Sequence, residues 1–247
     1  AWQQVAVPHD WAISGPFDKK WDLQMVAIEQ NGETEKTEKS GRSGALPWIG
    51  EGMYKMNWTA PKGYKRAVLV FDGAMSQPVV SVNGKEAGKW AYGYNAFRID
   101  ITPFIQFGKS NLIEVHLNNV EESSRWYPGG GLYRPVSVEL YGNENFSTWD
   151  TFVRTLKADK QEAEVEVNAL LEGKTGKSGK TVIALLDEAG KKVAEQIVTG
   201  ANPEIKTTLK VANPQLWSPE SPYLYQVKLT RYEGKKVADV QTLKTGI

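Results

Sequence analysis

Arg66-Ala67-Val68-Leu69-Val70-Phe71-Asp72-Gly73-Ala74-Met75-Ser76-Gln77-Pro78-Val79-Val80-Ser81-Val82-Asn83-Gly84-Lys85 is the stretch that decides the fold class. Its two apolar runs are short and rich in β-branched residues, and each ends at turn-forming residues, as strands do. Asn83-Gly84 is a hairpin signal, because both residues tolerate the positive φ of a type I′ turn. Outward from it, Phe97-Arg98-Ile99-Asp100-Ile101 and Val136-Ser137-Val138-Glu139-Leu140 alternate apolar with polar, the pattern of half-buried strands. His116 falls in a similar run, Asn111 to Leu117, sharing a face with Glu114, and reads as a strand residue. No stretch carries the spacing of a long amphipathic helix. The periodicity predicts an all-β chain built as an antiparallel sandwich or jelly roll.

The second half repeats the theme with other residues. Val165, Val167 and Ala169 alternate with Glu164, Glu166 and Asn168, which predicts an apolar inner face with acids opposite. Asp187-Glu188-Ala189-Gly190-Lys191 reads as a hairpin tip, and Tyr225, Val227 and Leu229 as a further inward set. Composition changes near Gly142-Asn143-Glu144-Asn145: of nine tryptophans, seven precede this point. Two domains are therefore expected, residues 1–144 and residues 145–247, the second with the strand density of an immunoglobulin-like sandwich. Residues 12–48 lack strand rhythm, and Asn31 to Gly44 reads as an exposed polar loop.

Bulk composition excludes several function classes. Thirty Lys+Arg against 29 Asp+Glu give a formal net charge of +1. That balance argues against nucleic acid or an anionic membrane as partner, since both reward clustered positive charge. Cysteine is absent and only His9 and His116 are present, so disulfides, thiolate chemistry and a histidine-built metal site are not expected. No apolar run approaches the ~18 residues of a membrane helix. No nucleophile elbow, phosphate-cradling loop or cofactor motif occurs, and no cofactor is expected.

Two motifs suggest chemistry. Ser123-Ser124-Arg125-Trp126-Tyr127-Pro128-Gly129-Gly130-Gly131-Leu132-Tyr133-Arg134-Pro135 packs three aromatic rings and two guanidinium groups around a glycine turn. Rings beside planar forked donors suit a pyranose, with its apolar face and hydroxyl rim; a structural corner whose aromatics pack on the sandwich edge is the competing reading. Val7-Pro8-His9-Asp10-Trp11-Ala12-Ile13 is the other. His9 and Asp10 are adjacent on an extended chain and point to opposite sides, so they do not form an acid–base dyad. Glycoside hydrolysis needs two carboxyl groups about 5–5.5 Å or about 6.5–9.5 Å apart. Asp10, Glu51, Glu121 and Glu122 lie near the loops, and nothing in the sequence pairs them. On its own chemistry the chain reads as a binding and scaffolding piece.

These landmarks together resemble the N-terminal part of glycoside hydrolase family 2, the β-galactosidase and β-glucuronidase family. The resemblance rests on Val7–Ile13, on Gly44-Ala45-Leu46-Pro47 with Gly52-Met53-Tyr54-Lys55, and on Phe71-Asp72-Gly73-Ala74 with Val82-Asn83-Gly84-Lys85. It rests further on Ser124–Arg134, and on Asn213-Pro214-Gln215-Leu216-Trp217-Ser218-Pro219 with Pro222-Tyr223-Leu224-Tyr225. It implies a galactose-binding-like jelly roll followed by an immunoglobulin-like sandwich. It places the catalytic glutamates in an α/β barrel beyond Ile247, so no catalytic residue is expected in this chain. That barrel and a β-galactoside-like carbohydrate are the implied partners.

What the resemblance transfers is the rim of a sugar pocket, with Asp10, Arg125 and Trp126 as substrate-binding candidates. Arg125 stands nine residues before Arg134, where several branches of the family place a sugar-contacting aspartate. The change from acceptor to donor leaves Asp10 to supply the acceptor or to pair with Arg125, and Trp126 to wall the pocket. Arg134 is assigned to support. A bacterial periplasmic or secreted location is expected from the resemblance and from the opening at Ala1. A free-standing carbohydrate-binding module or adhesin is the alternative.

Overall fold

The computed structural model describes residues 2–26, 37–40, 48–120 and 128–247. The chain divides into two compact units, Ala1–Leu140 and Tyr141–Ile247. Both are all-β.

The first unit contains β1 (Leu23–Val26), β2 (Thr37–Ser40), β3 (Glu51–Thr59), β4 (Arg66–Phe71), β5 (Val79–Val82), β6 (Lys85–Lys89), β7 (Phe97–Asp100), β8 (Ser110–Asn118) and β9 (Val136–Tyr141). They form a four-stranded sheet in the order β3-β8-β5-β6, a three-stranded sheet β7-β4-β9, and the separate pair β1-β2. Val80, Val82, Ile113, Val115 and Leu117 from the larger sheet meet Ala67, Leu69, Phe71, Phe97 and Ile99 from the smaller one in a single core. β8 alternates as its sequence requires, with Ile113, Val115 and Leu117 buried and Glu114 and His116 on the other face. β4 is buried on both faces, which is why its sequence reads as a continuous apolar run rather than an alternation. Full burial of a side chain such as Phe71 stabilises by roughly 1.5–3 kcal/mol.

The hairpin at Asn83-Gly84 forms as the sequence dictates, with φ of 51° and 77°. Asn83 does more than turn the chain. Its Nδ2 donates to the Phe104 carbonyl at 2.8 Å, and its Oδ1 accepts from the Leu112 amide at 3.0 Å, tying the hairpin to β8. The stretch 12–48, expected to lack strands, contains the antiparallel pair β1-β2, in register from Leu23↔Ser40 to Val26↔Thr37. Each strand has only four residues, too few for an alternation to stand out. The rest of the expected polar loop, residues 31–36 and 41–44, lies outside the described residues.

The second unit contains β10 (Glu144–Phe146), β11 (Phe152–Ala158), β12 (Glu162–Gly173), β13 (Gly179–Leu186), β14 (Lys192–Thr199), β15 (Glu204–Ala212), β16 (Tyr225–Glu233) and β17 (Lys236–Thr245). β12 pairs with β10, β11 and β15, and the other sheet runs β14-β13-β16-β17. The inward sets foreseen from alternation, Val165, Val167, Ala169 and Tyr225, Val227, Leu229, are all buried in one core with Ile183, Leu185, Ile205 and Leu209. Glu166 follows the expected alternation. It is on the outward face but buried, because Arg154 of β11 and Lys206 of β15 close over it at 2.9 and 3.4 Å.

One buried ion pair organises this unit. Arg231 and Glu144 are both removed from solvent, with Nε donating to Oε2 at 2.6 Å. Each of the other side-chain nitrogens and the second carboxylate oxygen has a partner: Nη1 and Nη2 donate to Thr181 Oγ1 and the Gly200 carbonyl, each at 3.3 Å, and Glu144 Oε1 accepts from the Gly176 amide at 2.6 Å. Gly179 leaves room for the guanidinium where any Cβ would strike Nη2. Removing one partner strands the other charge without water. Arg231→Ala is therefore expected to cost roughly 3–5 kcal/mol, read as a lower urea midpoint, whereas the joint replacement Glu144→Leu with Arg231→Met costs far less.

Candidate functional site

In the first unit the two motifs singled out from the sequence, far apart along the chain, come together. The His9 amide donates to the Leu132 carbonyl at 2.8 Å, docking the 7–13 segment against the glycine turn. The turn is fastened from its other side by reciprocal bonds between the Gly131 and Met75 backbones, both 2.9 Å. Asn119, buried at the end of β8, adds two ties. Its amide donates to the Gly50 carbonyl at 2.9 Å, and its Nδ2 donates to the Gly129 carbonyl at 3.1 Å.

The glycines are demanded by this close approach. Gly131 has φ +82°, and any Cβ there would collide with the Tyr54 hydroxyl. A Cβ on Gly130 would sit 3.0 Å from Trp11 Nε1 and 3.3 Å from Asp10 Oδ1. The backbone of the turn thus lies directly on Asp10 and Trp11. Trp11 stacks on Tyr54, with ring centroids 5.9 Å apart and 21° between planes, and meets Trp48 at 6.1 Å. Asp10 Oδ1 accepts from the Ala12 amide at 3.0 Å, which fixes the carboxylate at the start of the short helix Ala12–Ser14. His9 turns away and bonds Tyr54 through Nδ1 at 2.9 Å.

Among the described residues, no group of three or more His, Cys, Asp or Glu side chains gathers as a metal would require. Glu51, a loop-side acid of the sequence reading, is bonded to His116 Nε2 at 3.2 Å on the outer face of β3 and β8. Among the described residues, the turn is bordered by the fixed Asp10 carboxylate and by the stacked rings of Trp11 and Tyr54. Along its whole length the chain is 31% identical to a β-galactosidase, BoGH2A, from Bacteroides ovatus, of which it covers 28%. It is 26% identical, again along its whole length, to a β-glucuronidase of Formosa agariphila, covering 26% of that protein. The crystal structure of a glycosyl hydrolase family 2 member from Bacteroides cellulosilyticus superposes with a TM-score of 0.81 at 32% identity, covering all of this chain and 32% of that one. The signature of glycosyl hydrolases family 2 matches residues 147–247. The chain belongs to glycosyl hydrolase family 2. It spans between a quarter and a third of the length of these relatives.

Of the three residues predicted to touch substrate in this family 2 chain, the structure places Asp10 against the glycine turn. Arg125 and Trp126 lie outside the described residues, as do Glu121 and Glu122. Arg134, assigned to support, does support: Nη1 donates to the carbonyls of Asp72 at 3.3 Å and Tyr94 at 3.2 Å.

Tyr54 is the residue that sequence reasoning passed over, although it was quoted within a motif. It alternates with Met53 and Lys55 on β3, which was signal enough to face it inward. Its hydroxyl donates to the His9 carbonyl at 3.2 Å and accepts from the Leu132 amide at 3.3 Å, so one oxygen joins both motifs. Burial pushes this hydroxyl from 10.0 up to about 12, against the pull of the Leu132 amide and with help from the nearby Asp10 charge. The folded value exceeds the unfolded one, so this contribution to stability is complete below pH 10 and is lost as pH rises towards 12. Tyr54→Phe is expected to cost roughly 1–3 kcal/mol at neutral pH, through the partners it strands. Denaturant midpoints measured from pH 8 to 12 should fall less steeply in this variant than in the parent.

Proposed function

We propose that this chain is the non-catalytic N-terminal portion of a retaining glycoside hydrolase acting on β-linked sugars, a β-galactosidase, in which the first unit supplies part of the rim of the sugar pocket and the second serves as a spacer. The observation that carries this reading is the docking of His9–Trp11 under Gly129–Gly131. It fixes an acceptor, Asp10, beside the turn that Arg125 and Trp126 immediately precede in the sequence. A carboxylate held at the start of a short helix and aromatic rings held by stacking lose little freedom when a sugar binds, which favours affinity. Hydrogen bonds to a charged group contribute about 1.5–3 kcal/mol each. The reacting carboxylates belong, in this proposal, to the barrel of the same polypeptide.

The test uses the intact enzyme. Asp10→Asn keeps an oxygen to accept from the Ala12 amide and removes only the charge, while Arg125→Ala removes the candidate donor. Both are expected to raise KM for a nitrophenyl β-galactoside about tenfold or more, at an unchanged melting temperature. Unchanged kinetics in both variants would remove the rim role. A higher kcat/KM for the corresponding glucuronide would reassign the sugar while leaving the rim in place. Residues 1–247 alone should show no turnover.

A further inference from the structure

The segment Trp90-Ala91-Tyr92-Gly93-Tyr94-Asn95, between β6 and β7, carries three aromatic rings that the rim reading does not use. Two of them stand open: Tyr92 is 59% exposed and Trp90 40%. A solvent-facing aromatic on a loose loop would mean little. Here the loop is fixed at three residues, Trp90, Gly93 and Tyr94. The Trp90 amide donates to the Pro78 carbonyl at 3.0 Å, Tyr133 Oη donates to the Gly93 carbonyl at 2.9 Å, and Arg134 Nη1 donates to the Tyr94 carbonyl at 3.2 Å. Gly93 is wedged where a Cβ would meet Met75 Sδ at 2.5 Å.

The Trp90 ring is fixed as well. Phe97 stacks on fully buried Phe71, centroids 4.6 Å apart and planes within 5°, and Trp90 stacks on Phe97 at 5.6 Å and 7°. At its edge, Nε1 donates to Asn95 Oδ1 at 2.9 Å. The indole therefore has its plane set by the core and its rotation set by a hydrogen bond, with much of its surface left to solvent. Tyr92 flanks the same loop and leans on Tyr94 at 5.5 Å and 55°. A flat indole locked in orientation, with an exposed phenol on the same loop and an amide at its edge, matches the apolar face and hydroxyl edge of a pyranose. They form an open platform, not the enclosed pocket in which a protein hot spot is desolvated.

We propose that Trp90 and Tyr92 form a carbohydrate-binding platform that stacks a neutral pyranose unit of a β-linked oligosaccharide or polysaccharide chain. It rests on the family's carbohydrate chemistry but not on the rim role of Asp10 and Arg125. The loop hangs from Tyr133 and Arg134, the residues that continue the glycine turn, so the platform is anchored by the same structure that receives His9–Trp11.

The experiment is affinity electrophoresis of the full-length protein in native gels containing soluble β-1,4-galactan or hydroxyethylcellulose. The wild type is expected to be retarded by at least one of them. Tyr92→Ala and Trp90→Ala should each weaken the apparent affinity about tenfold, and Trp90→Phe, which keeps a flat ring, should lose less. Tyr92 covers least of the core, so Tyr92→Ala remains decisive if the melting temperature of Trp90→Ala shows a folding defect. KM for the nitrophenyl β-galactoside reads the rim and retardation in the gel reads the platform, which separates the two. Absence of retardation of the wild type by either polysaccharide overturns the proposal. So does equal retardation of wild type and Tyr92→Ala, or a Tyr92-dependent self-association in place of glycan binding.

Discussion

The first unit depends on glycines that let backbone lie where side chains would otherwise stand. Gly131 abuts the Tyr54 hydroxyl, and Gly130 abuts Trp11 and Asp10. Any Cβ at these positions would push the turn off the 7–13 segment and break the His9–Leu132 bond, since the partners on the other side are rings already stacked on one another. On the far side, Gly52 of β3 holds no Cβ, which would come within 2.5 Å of the Trp11 ring. Trp11 is thus clamped between glycine backbones, and its stack with Tyr54 follows from that clamp. The turn in turn orients Tyr133 and Arg134, which hold the Trp90–Asn95 loop. A chain of contacts runs from one close backbone approach to both candidate binding surfaces.

The two units solve the problem of buried polarity differently. In the first, neutral groups share the load: Asn83 and Asn111 bridge loops to β8, and Tyr54 serves three partners with one oxygen. In the second, a formal ion pair is sealed inside the sandwich with each hydrogen-bonding group matched. Neutral networks tolerate local adjustment, since no member carries an uncompensated charge when a neighbour shifts. A sealed ion pair punishes displacement of either member and so fixes β10, β13 and β16 in one register.

Local chemistry was legible in the sequence and long-range chemistry was not. Asn83-Gly84 announced its turn because the φ requirement belongs to those two residues alone. The inward faces of β12 and β16 were legible because alternation is a property of one strand. Glu166 was placed on the outward face by the same alternation, but its burial was not legible. Its burial is created by Arg154 and Lys206, twelve residues before it and forty after, which meet it only across neighbouring strands. Tyr54 was quoted within a motif, yet nothing local says that its hydroxyl would lie between His9 and Leu132. Asp10 reached the candidate site through resemblance of its motif, and the structure supplies the physical reason for its placement in the Ala12 cap and the neighbouring Gly130.

The distribution of rigidity also bears on what this chain can do. Binding a sugar through a carboxylate and ring faces is limited less by the strength of each contact than by the freedom lost in making it. Around the glycine turn that loss is met during folding: Asp10 is already capped, Trp11 already stacked, and Trp90 already held by face and edge. Proton transfer would ask for something else, two titratable groups converging on one point with opposed environments. His9 bonds a phenol that burial keeps protonated, and Glu51 pairs outward with His116. These polar groups fix one another and the rings beside them.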